Sequence, residues 1–266
     1  MLKIENTEVF GWEAAIRGMR NPMNSWDRSD SGICKGGDNG IGCSNCVHQG
    51  CEHSYDHSFQ IGKEDYKLME MLRNAGTDHR KFMRMITVYA DLTGPLYWWK
   101  EFDTYKVGTV ANSCSTMHKI QAKEFTLDDF SCEHLLGEPK FYTDNKTPGV
   151  FGATQEFNIS SIGVLRVICD ALNYWRNQYL VALKTKETDL SAKDIWWQMI
   201  QLLPSSYNQR RTVMLNYEVL ANIYKSRRNH KLDEWHTFCD WIESLPYSDL
   251  ITTPIQQDTY ICKKEC

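Results

Sequence analysis

Thr212-Val213-Met214-Leu215-Asn216-Tyr217-Glu218-Val219-Leu220-Ala221-Asn222-Ile223-Tyr224-Lys225-Ser226-Arg227-Arg228 is the stretch on which the reading of the chain turns. Its periodicity predicts a helix from roughly Thr212 to Arg228. Asn216, Leu220, Ile223 and Arg227 fall at i, i+4, i+7 and i+11 and so share one line along the cylinder. That line is apolar in the middle and polar at both ends, which are about 16 Å apart at 1.5 Å per residue. Two readings fit: helix-end residues reaching solvent, or two polar handles for a flat, extended ligand.

Working outward, Leu203-Pro204 stands before this helix, and together with Asn216, Leu220, Asn222 and Arg227 it resembles the C-terminal motif of the flavin-dependent thymidylate synthases. The resemblance implies an α+β, thymidylate-synthase-complementing (ThyX-like) fold with a central antiparallel sheet and long C-terminal helices. It also implies that Asn216, Asn222 and Arg227 contact the flavin, with Arg227 near a nucleotide substrate as well. A guanidinium suits that place because its planar fork binds a carbonyl or phosphate edge through two bonds at once.

A second family signature, Arg-His-Arg followed by Ser, Asn and Ser and closed by Arg, corresponds to residues 104–118. Asn112 and Ser115 keep the Asn-x-x-Ser spacing, and Lys106 takes the place of an arginine. Thr104 and Tyr105 replace the first Arg and the His, Met117 or His118 the last Arg, and Ile200 another Arg before Leu-Pro. Lys100, Lys106, Arg210 and Arg211 are the candidate replacements for the lost charge. The resemblance thus assigns Asn112, Asn216, Asn222, Arg227 and Lys106 to the cofactor, and Ser115, Arg227 and Lys106 to the substrate. Without the resemblance, Asn112 and Ser115 read equally as a self-capped turn.

The activity implied is FAD-dependent methylation of a uracil deoxynucleotide, dUMP to dTMP, with methylenetetrahydrofolate and NADPH as co-substrates, in a homotetramer. The alternative is a non-catalytic binding protein that keeps the fold without the phosphate arginines.

The segment 30–58 has a different character, rich in Gly, Asp, Ser and Cys, and reads as an insertion in a single 266-residue domain. Cys34, Cys43, Cys46 and Cys51 surround a tight Cys-x-x-Cys turn with interleaved glycines, a set suited to zinc or, alternatively, an iron-sulfur cluster.

The rest of the pattern is helical at Trp12–Met19 and 64–74, extended at residues 2–10 and 86–92, and helical again through Pro95 to Tyr105. Loops fill 106–152. Long helices follow at Ser161–Lys184, Ser191–Leu203 and through Leu232, Trp235, Phe238 and Ile242.

A net charge of −4 excludes general nucleic-acid backbone binding, and no apolar run reaches the ~20 residues of a membrane span. The opening MLKIENTEVF lacks signal-peptide character, so the expectation is a cytosolic protein. The one dense basic run is Lys225, Arg227, Arg228, His230 and Lys231. Either it is a solvated helix end or it faces a phosphorylated ligand.

Overall fold

A computed structural model describes residues 1–33, 59–137, 160–185 and 190–254. The chain forms two compact units, the first from residues 1–3, 93–102 and 113–211, the second from 4–92, 103–112 and 212–266. The fold is α+β, and its antiparallel sheet is accompanied by long helices toward the C-terminus. The central sheet has four strands in the order β1 (Lys3–Phe10), β4 (Thr87–Pro95), β6 (Asn208–Asn216), β5 (Val110–Ser113).

In the second unit, period-two burial builds the strands. Val88, Ala90 and Leu92 are buried on β4 while Tyr89 faces out, and Val213 and Leu215 are buried on β6. Gly11 turns the chain from β1 into α1 (Trp12–Arg20) in a left-handed conformation, φ 97°. Trp12 packs edge-on against Tyr217 and Tyr247, with ring centroids 5.2 and 5.1 Å away. Burial raises the pKa of Tyr217, which keeps its hydroxyl protonated and donating to the Pro246 carbonyl at 2.5 Å.

Beneath α2 (Lys63–Asn74) lies a buried polar knot. Asp65, fully buried, accepts from Arg20 Nε at 2.5 Å, from the Ser29 and Ser31 hydroxyls at 2.6 Å each, and from the Ser31 amide at 3.1 Å. Burial alone raises a carboxyl's pKa. Here the hydrogen bonds from Ser29, Ser31 and Arg20, with the Arg20 charge, outweigh it and hold Asp65 below the ordinary range. The knot sits at the foot of a short antiparallel ladder, β2 (Gly32–Ile33) on β3 (Phe59–Gln60), with Gly32 opposite Gln60 and Ile33 opposite Phe59. The cysteine-rich segment leaves and returns through this stem. Cys34, Cys43, Cys46 and Cys51 themselves lie outside the described residues.

In the first unit, α5 (Ser161–Lys184) runs over the predicted residues. It is capped by the Ser160 hydroxyl, which accepts from the Gly163 amide. Its Leu165, Cys169 and Leu172 pack with Phe125, Phe130 and Met199, the last from α6 (Ala192–Leu202). Trp98, Trp99 and Phe102 of α3 (Leu96–Phe102) are buried, whereas Tyr97 is half-buried.

Two expectations are corrected. Residues 212–216 finish β6, so the helix α7 begins at Tyr217 and ends at Arg227. The alternation of Val213 and Leu215 outweighed a helical phase that happens to extend through both. Pro95 closes β4 rather than opening a helix, and α3 stops at Phe102. In the region expected as loops around short elements, the short elements are β5 and α4 (Thr116–Lys119), each too brief to register as periodicity.

Candidate functional site

Helix α7 carries two polar clusters on different faces, both inside the second unit. The first surrounds Arg227. Its guanidinium lies over the Trp235 ring at 4.8 Å and the Tyr105 ring at 5.6 Å, and its Nε donates to the Tyr105 hydroxyl at 2.9 Å. Trp235 is supplied by α8 (Asp233–Glu243). A guanidinium stacked this way is fixed in orientation and weakly hydrated, as suits recognition of a planar or anionic group.

Asn216 begins the same helix but plays another part. It is buried, 8% exposed; its Oδ1 accepts from the Val219 amide at 3.0 Å and its Nδ2 donates to the Gly108 carbonyl at 3.4 Å. It therefore caps α7 and ties down the 105–109 turn, in which Gly108 adopts φ 77°. A Cβ at Gly108 would stand 2.7 Å from Asn216 Nδ2 and 3.1 Å from Val219 Cγ2. Gly108→Ala is expected to destabilise the protein by about 1–3 kcal/mol through the φ strain and this collision, read as a lower urea midpoint with an unchanged slope.

The second cluster contains Asn222. It lines a cavity of about 410 Å³ with Arg73, Arg80, Lys225 and Arg228, and with Ala221, Tyr224 and residues 251–254. Arg80 donates from Nε (3.1 Å) and Nη2 (2.9 Å) to one oxygen of buried Glu218, and Arg228 pairs with Asp240 at 2.7 Å and Glu243 at 3.3 Å. Asn222 and Arg227 are five residues apart, roughly 140° around the helix. They do not converge on one point of this chain.

No protein-family model matches the sequence, and no curated protein matches it either. The folded chain, however, is similar to ThyX from Helicobacter pylori, in a crystal structure with FAD and dUMP. The TM-score is 0.54, the identity 13%, and 95% of this chain and 97% of that one are covered. A second structure of the flavin-dependent thymidylate synthase ThyX from Helicobacter pylori, complexed with FAD and dUMP, gives 0.54 and 13%, covering 94% and 97%. The fold is that of ThyX. The correspondence runs over nearly the whole length of both chains and is not confined to the C-terminal motif.

The remaining predicted residues lie at the surface of this ThyX-like fold. Lys106 is exposed in the turn before Gly108, and Asn112 is exposed on β5. Ser115 is exposed at the start of α4, where its hydroxyl accepts from the His118 amide at 3.2 Å. Of the candidate substitute cations, Arg211 stacks on Trp99 at 4.1 Å, donates from Nε to Gln209 at 3.0 Å and is held in place. Lys100 and Arg210 are exposed. Tyr105, which stands where the family signature has its histidine, is the partner of Arg227 that sequence reasoning missed. Sequence reasoning also missed Arg73 and Arg80, which reach the cavity beside Asn222 from far upstream. Among the described residues, no three His, Cys, Asp or Glu side chains are placed to hold a metal ion. No helix among them is long and apolar enough to cross a membrane.

Proposed function

We propose that the protein is a flavin-dependent methylase of a uracil nucleotide, of the dUMP-to-dTMP type. The observation that carries this reading is the stacked Arg227, held on a ThyX-like fold at the position given by the C-terminal motif. The residues fit the group they are asked to hold. Arg227 offers an oriented guanidinium, and Asn222 offers an amide on the wall of a cationic cavity, both suited to the carbonyl and phosphate edges of a flavin nucleotide. FAD, when bound, supplies the reducing equivalents, with methylenetetrahydrofolate as carbon donor and NADPH as electron source. The chain's part is positioning and charge stabilisation: Arg227 and Asn222 bind, Asn216 and Tyr105 hold Arg227's helix and side chain in register. Lys106, Asn112 and Ser115 are assigned to the ligands by motif position and complete the set, with sites shared in a homotetramer. The Cys34, Cys43, Cys46 and Cys51 set is assigned to structural zinc, stapling the insertion.

The test is an absorbance spectrum of anaerobically purified protein after exposure to air, with released FAD identified, followed by assay of dTMP formation from dUMP. Flavin bands and FAD-dependent product are expected. Arg227→Ala should weaken FAD binding about tenfold, the equivalent of ~1.4 kcal/mol, and Arg227→Lys should recover part of it. Far-ultraviolet circular dichroism checks that both variants fold. A colourless protein that neither binds added FAD nor forms dTMP would sink the enzyme reading and leave a binding protein on the ThyX-like fold.

A further inference from the structure

The cavity beside α7 has a charge pattern that the proposed methylase chemistry does not require. Four cationic side chains, Arg73, Arg80, Lys225 and Arg228, line it, and no carboxylate is among its described lining residues. Two of these cations are offset from behind, Arg80 by Glu218 and Arg228 by Asp240 and Glu243. Arg73 is different. It is 4% exposed, and its guanidinium donates to the neutral Asn74 Oδ1 at 3.1 Å. Burial and the neighbouring Arg80 depress its pKa, with Glu70 opposing. A buried guanidinium set beside a second one is stabilised by an anion placed between them. The rest of the lining is neutral: Ala221, Tyr224, Ile251 and Pro254 are apolar or aromatic, and Asn222, Thr252 and Thr253 are polar. A volume of about 410 Å³ exceeds what an inorganic anion needs and lies in the range of small-molecule pockets.

We infer that this cavity binds the phosphate-ester or diphosphate group of a small nucleotide-like ligand, clamped by Arg73, Arg80, Lys225 and Arg228, with the organic part against Tyr224 and Ile251. The basic run at the end of α7 is thereby divided: Lys225 and Arg228 face the cavity while Arg227 faces Tyr105 and Trp235. The cavity includes Asn222, which the flavin reading gives to the cofactor, so the inference rests on that reading where the phosphoryl group is FAD's and is independent of it where a separate ligand carries the group.

Calorimetric titration with inorganic pyrophosphate tests it, at low and at moderate salt. The wild-type chain is expected to bind pyrophosphate, more weakly as salt rises. Lys225→Gln, at an exposed position where folding is not at risk, should weaken binding at least fivefold. Arg73→Gln should do so more strongly, and Arg73→Lys should retain part of the affinity. Parallel titration with FAD identifies the source. An equal loss of FAD affinity assigns the phosphoryl group to the cofactor, and unchanged FAD affinity assigns it to a second ligand; either outcome upholds the site. Absence of pyrophosphate binding by the wild type at millimolar concentration would overturn it. Equal binding by wild type and Lys225→Gln would do the same. A protein that binds pyrophosphate but neither binds added FAD nor forms dTMP would end the flavin proposal and leave this one standing.

Discussion

Asp65→Ala is expected to destabilise the protein by about 3–5 kcal/mol, because it leaves Arg20 buried without its counter-charge. Arg20 is 4% exposed and Asp65 is fully buried, so water cannot replace the lost carboxylate at little cost. The loss extends beyond the ion pair: the Ser29 and Ser31 hydroxyls and the Ser31 amide lose the same acceptor. Asp65→Asn, which keeps an oxygen there but removes the charge, should fall between the two. Urea unfolding measures both, and a loss under 1 kcal/mol for Asp65→Ala would show that the knot is not a keystone. The same site sets an acid limit. Since the folded-state pKa of Asp65 lies below its ordinary value of 3.8, its contribution is fully present above that value. It declines as the pH falls through the lower folded value. Wild-type stability should therefore drop steeply below about pH 4, and Asp65→Asn should lack that part of the drop. Hydrogen exchange at Gly32 and Gln60 should quicken in Asp65→Ala, because Ser29 and Ser31 connect the knot to the β2–β3 stem.

Gly11→Ala should cost at least about 3 kcal/mol, combining an unfavourable φ with a backbone collision. A Cβ there would lie 2.1 Å from the Met85 carbonyl oxygen and 3.2 Å from its carbon, at φ 97°. Neither partner can yield easily. Gly11 accepts the Ala15 amide that starts α1, and the next residue along from Met85, fully buried Ile86, accepts the Tyr217 amide that starts α7. Gly32→Ala is the control, since a Cβ there meets nothing within 4 Å. Equal urea midpoints for the two variants would refute the steric account.

What could be read from the sequence followed the strength of local periodicity. Helix α5 was legible from end to end because Leu165, Cys169 and Leu172 repeat on one face and Ser160 caps it. The ThyX-like fold was legible from the motif around α7, even though the start of that helix was misplaced. Asn216 illustrates why: the same residue ends a strand and caps a helix, and its apolar neighbours satisfy both periods. The candidate site was legible only in its local half. Lys225 and Arg228 could be seen as a basic run, but Arg73 and Arg80 reach the same cavity from another helix and a 3-10 turn, a proximity that spacing along one helix does not encode. The pairing of Tyr105 with Arg227 spans 122 residues and was invisible for the same reason.

The interleaving of the two units also governs what a growing chain can do before it is complete. The chain passes between the units five times, so the second unit, begun at residue 4, lacks its remaining pieces until residue 212 and beyond have been made. Arg80 waits for Glu218, 138 residues later. At ribosomal speeds of about 5–20 residues per second that delay is roughly 7–28 s. Throughout it, the guanidinium that ends up buried must remain hydrated. Nascent chains ending before α7 should accordingly engage chaperones and be open to proteolysis, with compaction of residues 4–92 arriving late and all at once.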